Sequence, residues 1–196
     1  LGAMNLAEFV DFTDPNHPKF DWNEFISAVE TAIRALNDVL DEGLSLHPLK
    51  EQRDSVRDWR QMGLGIMGLA DLLIKLGIRY GSEEAIYLCD EIGYTMARAA
   101  INKSSMLAIR KGKYNKCKNE LLVQTPFFYN HCVQGIQSTT LLERVRRTGL
   151  RNSQLLTIAP TGSISTMLGV SGGLEPIFAY SYTRTTKSLS NKDEIY

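Results

Sequence analysis

Apolar residues recur at steps of three and four along residues 22–40. Trp22, Phe25, Ile26, Val29, Ile33, Leu36, Val39 and Leu40 fall on one broad face of a predicted helix. Asp21 is placed to cap it, with Glu24 three residues on as a capping-box partner, and Gly43 marks its end. A second helix is predicted from Ser82, with Glu83 and Glu84 in its first turn. It carries Ile86, Ile92, Met96, Ala99 and Ile101 and ends near Arg110 and Lys111, whose charge suits a helix C-terminus. Residues 138–148 predict a third helix stopped at Gly149.

Residues 63–76 are apolar on nearly all sides, which predicts a buried helix. Gly63, Gly65 and Gly68 would each weaken an isolated helix by about 1 kcal/mol relative to Ala. They make sense where another backbone packs close by. Strands are expected at residues 1–10, at 155–158 (apolar and β-branched) and at 177–186, where Tyr180 and Tyr182 read as sheet residues. Residues 11–19 and 44–49 read as loops, 50–60 as a charged helix or loop, and 112–119 as a basic loop. No pattern assigns residues 120–137, which hold Phe127, Phe128 and Tyr129. The polar residues 187–196 read as a poorly ordered tail.

The predicted strand at 155–158 runs into Ala159-Pro160-Thr161-Gly162-Ser163-Ile164-Ser165. Pro160 cannot donate to a sheet ladder, so the strand stops there. A hydroxyl, a glycine and two further hydroxyls then lead into a predicted helix start. The free N–H groups of a helix's first turn and its dipole favour an anion. Thr161, Ser163 and Ser165 add hydroxyl donors, and Gly162 lets a ligand approach the backbone. No Gly-Lys-Ser/Thr follows, so this is not a Walker A loop. The local pattern leaves a second reading open, in which Thr161 and Ser163 only cap a helix.

The chain has 196 residues, 43% hydrophobic and 22% charged, with a formal net charge of zero. That is enough for one compact domain, and it gives no overall case for nucleic-acid or membrane binding. No apolar run nears the roughly 20 residues of a membrane span, and no signal-peptide pattern opens the chain. Charge is uneven along it, however. Residues 1–42 hold two basic and nine acidic residues, whereas residues 101–151 hold ten basic and two acidic. The basic half is either a solvated face, or lies near phosphates, against the acidic half or against a partner. Arg144, Arg146, Arg147 and Arg151 precede the 160–165 loop closely enough to raise its potential.

Cys89, Cys117 and Cys132 form no C-x-x-C pair and no zinc spacing. With no secretory signal, they point to reduced thiols in a cytoplasm. Cys89 reads as a core residue beside Ile86, Tyr87 and Ile92. Cys117 lies in a lysine-rich loop and is not expected to be catalytic.

Four blocks in order resemble the catalytic subunit of the ribonucleotide reductases. They are Leu1-Gly2-Ala3-Met4-Asn5-Leu6, Arg60-Gln61-Met62-Gly63-Leu64-Gly65-Ile66-Met67-Gly68-Leu69-Ala70-Asp71, Thr148-Gly149-Leu150-Arg151-Asn152-Ser153 with the 159–165 run, and Gly172-Gly173-Leu174-Glu175-Pro176. The resemblance implies a mainly helical α/β chain with a few strands, a single partial domain from the C-terminal part of the family's ten-stranded α/β barrel. It implies that Pro160, Thr161, Gly162, Ser163, Ile164 and Ser165 hold the phosphates of a ribonucleoside di- or triphosphate. The family reduces ribonucleotides to 2′-deoxyribonucleotides with a cysteine thiyl radical, a redox cysteine pair, and an assisting Glu and Asn.

None of the three cysteines matches those roles. The radical loop and one redox cysteine are expected upstream of Leu1, which leaves this chain inactive alone and with no bound cofactor. The pattern from Gly173 to Ala179 with Tyr182-Thr183-Arg184 is most similar to the adenosylcobalamin-dependent enzymes. A metal-dependent group served by a small radical-generating subunit shares much of it. A thioredoxin-type reductant and a homodimer are further expectations. A non-catalytic phosphate-binding module and a structural interaction domain are the alternatives.

Overall fold

The computed structural model describes residues 1–132, 138–179, 181, 183–184 and 194–195. Strand β1 (Gly2–Asn5) opens the chain and passes through a 3-10 turn (Leu6–Glu8) into β2 (Val10–Asp11). β2 pairs antiparallel with β3 (Lys19–Phe20), Val10 facing Phe20. Helix α1 (Trp22–Gly43) follows. Asp21 caps it as the sequence predicts, its side chain accepting from Glu24 N at 3.0 Å. The helix runs through Gly43, and its buried face is narrower than the periodicity suggests. Phe25, Val29, Ile33 and the polar Asn37 are buried, while Ile26 and Val39 face outward. At its foot Phe25 packs edge to face against Phe9 and Phe20, with centroids 5.2 Å apart, and Phe9 lies tilted against Phe20 at 6.1 Å.

After α2 (Lys50–Trp59), the apolar run at 63–76 departs from the predicted helix. It splits into strand β4 (Leu64–Met67), wholly buried, and helix α3 (Leu69–Lys75), with Gly68 turning between them at φ 72°. An all-apolar run looks alike as a buried strand or a buried helix, and the neighbouring strands decide it. β4 pairs in parallel with β1, Gly2 facing Leu64 and Asn5 facing Met67. On its other side it meets residues 154–157: Leu64 N donates to Leu155 O at 2.9 Å, and Thr157 N donates to Leu64 O at 3.1 Å. The glycine expectation is met at Gly65, where an added Cβ would lie 2.4 Å from the backbone oxygen of Thr157. The predicted strand at 155–158 is reduced to a single parallel bridge, Leu64 to Leu156, with Ile158 exposed.

Between β4 and that segment run α4 (Glu83–Lys111), capped by Ser82, then α5 (Asn119–Val123), α6 (Pro126–Cys132) and α7 (Ser138–Thr148). α7 matches its predicted span, and Gly149 takes the left-handed conformation behind it (φ 69°). α4 lies along α1 and, with the sheet, encloses a core that includes Ile92, Met96, Ala100 and Ile101. β1, β4 and the 154–157 segment therefore make an open parallel arc backed by helices, part of an α/β barrel with few strands, and β2–β3 is a separate antiparallel pair. Parallel strands need such helical crossovers to join them. Among the described residues, no helix is long and apolar enough to cross a membrane.

Helix α8 (Gly162–Leu168) leaves the C-terminal end of the arc. Residues 175–179 have no regular structure, so the strand predicted over 177–186 does not begin at 177; within that span Thr183–Arg184 form β5, paired antiparallel with β6 (Glu194–Ile195), and residues 185–186 lie outside the described residues. Tyr180, Tyr182, residues 187–193 and residue 196 lie outside the described residues, and with them most of the expected tail.

Candidate functional site

The 160–165 loop sits where residues 154–157 leave the sheet and α8 begins. Thr161 stands at the N-cap of α8 with φ 50°. A β-branched residue in the left-handed region is strained by about 1–3 kcal/mol, so the surroundings must hold it there. Its side chain does not cap the helix, which corrects the capping reading of this residue. Instead Thr161 Oγ1 accepts a hydrogen bond from Gly173 N at 2.9 Å. A hydroxyl that accepts in this way still has its own proton to donate.

The first intrahelical bond of α8 runs from Ser165 N to Thr161 O at 2.9 Å. The N–H groups of Gly162, Ser163 and Ile164 therefore have no acceptor within the helix, and all three residues are exposed. The remaining two site residues differ from each other. Pro160 is exposed. Ser165 is buried, and its hydroxyl donates back to Gly162 O at 3.4 Å, a carbonyl that Thr166 Oγ1 also reaches at 2.8 Å. The loop thus offers backbone N–H groups and the hydroxyls of Thr161 and Ser163, while Ser165 serves the helix itself.

A glycine turn lies against this loop. A Cβ on Gly172 would stand 3.4 Å from both Pro160 O and Ser165 Oγ, and one on Gly173 would stand 3.6 Å from Ala159 O. Tyr80 Oη donates to Leu174 O at 2.7 Å and ties the far end of the turn down. The paired glycines are visible in the sequence as a turn. Their partners are not, because Thr161 and Tyr80 are remote in the chain.

The basic half of the chain does not converge on the loop as expected. Arg151 donates to Asp41 Oδ1 at 3.3 Å and to Lys111 O at 2.8 Å, and Arg144 donates to Ser105 Oγ at 2.9 Å and to Asn102 Oδ1. Arg146 pairs with Glu143 at 3.2 Å. Lys111 meets Asp38 at 2.8 Å and Asp41 at 3.1 Å, and Lys103 meets Glu30 at 3.6 Å. Lys103, Lys111 and Arg151 thus pack against the acidic half, while Arg110, Lys113, Lys116, Lys118, Arg146 and Arg147 are exposed and form a solvated face.

Neither described thiol lies exposed among cations. Cys117 is buried beside Tyr114, not displayed in a lysine loop, and its Sγ lies 3.5 Å from Asn119 Oδ1. Cys89 is half-buried, and burial pushes its thiol pKa up, away from nucleophilic use. Its expected apolar face is only partly inside: Ile92 is buried, while Ile86 and Tyr87 are exposed. The side chain of Cys132 lies outside the described residues.

The larger cleft, about 470 Å³, is lined in part by Glu30, Tyr94, Arg98, Asn102, Thr140 and Arg144. Among the described residues, no three His, Cys, Asp or Glu side chains gather to hold a metal ion.

The sequence model of the family described as the ribonucleotide reductase barrel domain matches residues 1–194. A vitamin B12-dependent ribonucleoside-diphosphate reductase of Mycobacterium tuberculosis is 35% identical over 94% of the chain and 22% of its own length. One of the same description from Thermoplasma acidophilum is 33% identical over 94% of the chain and 20% of its length. The ribonucleoside-diphosphate reductase subunit alpha of Chlamydia pneumoniae is 31% identical over 96% of the chain and 19% of its length. The chain spans about a fifth of the length of these relatives. Across its parallel arc and the α8 loop alike, the chain belongs to the ribonucleotide reductase family and is part of its barrel domain.

Proposed function

We propose that this chain supplies the substrate-phosphate loop of a ribonucleotide reductase catalytic subunit, with Pro160, Thr161, Gly162, Ser163, Ile164 and Ser165 forming it. The observation that carries this reading is the start of α8. Thr161 turns its hydroxyl to Gly173 instead of capping the helix, so the first-turn N–H groups stay open to an anion. A phosphate there would accept from these N–H groups and from the hydroxyls of Thr161 and Ser163. Ser165 would stiffen the turn from inside.

In this reading the subunit reduces ribonucleotides to 2′-deoxyribonucleotides by radical chemistry. The present residues bind and orient the phosphate end while the radical and redox cysteines act from elsewhere in the polypeptide. The relatives named as ribonucleoside-diphosphate reductases support a diphosphate substrate, and those named as vitamin B12-dependent support adenosylcobalamin over a small radical-generating subunit. When bound, that cofactor supplies the radical. A thioredoxin-type reductant, a homodimer and a cytoplasmic location complete the proposal; the free thiols of Cys89 and Cys117 support the last.

The test is a calorimetric titration with a ribonucleoside diphosphate, on this chain and on a polypeptide of its relatives' full length. Binding that the Thr161→Ala/Ser163→Ala double variant loses supports the loop assignment. Full-length protein whose binding is unchanged by the double variant overturns it. Deoxyribonucleotide formation by this chain alone, given a radical source, would overturn its role as a phosphate-positioning segment only.

A further inference from the structure

Helix α3 begins at Gly68, which has φ 72° and no side chain to cap the helix. No larger residue fits, because a Cβ at Gly68 would meet Asn5 Oδ1 at 2.4 Å. The cap arrives from the glycine turn beside the 160–165 loop. Ser171 Oγ accepts from Ala70 N at 3.2 Å, and Asp71 Oδ2 accepts from Ser171 N at 2.7 Å. Ser171 O also accepts from Gly68 N at 2.8 Å. This is the reciprocal bonding of a capping box, split between residues about a hundred positions apart.

Ser171 is two residues from Gly173, whose N–H holds the Thr161 hydroxyl at 2.9 Å. Between them Gly172 lies against Pro160 O and Ser165. A Gly-Gly segment has little conformational preference of its own. Its position is therefore set by what grips its ends, and the bond to the Asp71 carboxylate is the charge-assisted one.

We propose that Asp71 is a positioning residue for the 160–165 loop, acting through Ser171 and Gly173 to set the direction of the Thr161 hydroxyl and the opening of the first turn of α8. The proposal rests on the phosphate reading of that loop. Asp71 touches no substrate in it. Its carboxylate fixes Ser171, Ser171 fixes the path of Gly172 and Gly173, and Gly173 holds Thr161 in its strained backbone conformation. A plain capping role for Asp71 would stabilise α3 and leave the loop's ligand affinity alone.

The experiment uses a polypeptide of the relatives' full length and reads KM for a ribonucleoside diphosphate, kcat and the thermal midpoint. Asp71→Ala is expected to raise KM about tenfold, the size of one lost hydrogen bond to a charged group, with kcat little changed. Asp71→Asn keeps an oxygen facing Ser171 N–H and is expected to recover most of the affinity. It also carries the test where Asp71→Ala does not fold, with a KM raised a few-fold. Thr161→Val, which removes the acceptor for Gly173 N, is expected to raise KM as well. Combined with Asp71→Ala it should add little, since both cut one chain of contacts.

A lower thermal midpoint with KM unchanged in both Asp71 variants would overturn the proposal, and so would full additivity with Thr161→Val. The Thr161→Ala/Ser163→Ala variant separates the two failures. If it binds the diphosphate normally, the phosphate reading is wrong. If it loses binding while the Asp71 variants keep theirs, only the positioning role is wrong.

Discussion

Arg60 donates from Nη2 to Asp41 Oδ1 at 2.5 Å, joining the residue after α2 to the last turn of α1. It does so from a left-handed backbone (φ 48°) and with only 4% of its surface exposed. The same nitrogen reaches Asn37 Oδ1 at 2.9 Å, Arg151 shares Asp41 Oδ1 at 3.3 Å, and Lys111 meets Asp41 Oδ2 at 3.1 Å. Three cations thus share one carboxylate at the seam between the acidic and basic halves. Asp41→Ala is expected to destabilise the protein by about 2–3 kcal/mol, toward the low end for a broken buried pair because water still reaches Asp41. Denaturant unfolding of the variant against wild type checks this. A loss under about 0.5 kcal/mol, typical of a surface pair, would show that Arg60 finds other partners.

The same carboxylate gives the protein an acid limb. Burial works against the charge on Asp41, but hydrogen bonds from Lys111 and Arg60 and the charges of Arg60 and Arg151 outweigh it and hold its pKa below the ordinary 3.8. A group depressed on folding stabilises fully above its unfolded value, and that stabilisation drains as pH falls through the folded value. Asp38, held down by Lys111, has the same sign. The unfolding midpoint is expected to fall as pH drops below about 4, and the fall should be shallower in Asp41→Asn.

At the alkaline end the group to watch is Tyr114. Burial, with Cys117 beside it, pushes its phenol from 10.0 up to about 12. Folding favours the protonated form, so its contribution is complete below the unfolded value and is lost as pH rises from about 10 toward 12. An absorbance-monitored titration should show a late phenol in the wild type that Tyr114→Phe removes.

Two glycines should respond oppositely to the same substitution. Gly65→Ala puts a methyl 2.4 Å from Thr157 O, a backbone atom that moves only if the 154–157 segment leaves β4. A loss of about 3 kcal/mol or more is expected. Gly93 lies exposed within α4 with nothing within 4 Å of an added Cβ, so Gly93→Ala is expected to stabilise by about 1 kcal/mol through helix propensity. Thermal midpoints of the pair decide the matter; equal and small shifts would refute the close approach at Gly65.

Asn152 is buried and fully engaged. Its Nδ2 donates to Arg60 O at 3.2 Å, its Oδ1 accepts from Ser104 Oγ at 3.2 Å, and its N donates to the same hydroxyl. Asn152→Ala orphans a buried carbonyl and a buried hydroxyl and is expected to cost about 2–4 kcal/mol. Ser104→Ala breaks one side of the same network, so the double variant should fall short of the sum in unfolding measurements.

The elements the sequence made legible are those whose cues are local. Asp21 and Ser82 cap their helices as predicted, and α7 spans the residues its pattern marks, because caps and helical periodicity act within a few residues. The buried helix expected over 63–76 misses β4, because apart from Asp71 and Lys75 the run offers no polar positions, and periodicity cannot then separate strand from helix. The arginines misled for a related reason: nearness in sequence to the 160–165 loop says nothing of direction, and Arg144 and Arg151 turn toward α4 and α1.

By itself the sequence determined where α1 and α4 begin, the span of α7 and, through four ordered blocks, the family. Tertiary structure alone decided that β4 is a strand, because only β1 on one side and residues 154–157 on the other offer its backbone partners. It alone turned Thr161 from a cap into an acceptor for Gly173, and it alone brought Asp71 to Ser171. Those bonds join residues from about ten to about a hundred positions apart, and a hydrogen bond is set by angstroms of separation in space, which no local pattern of residues encodes.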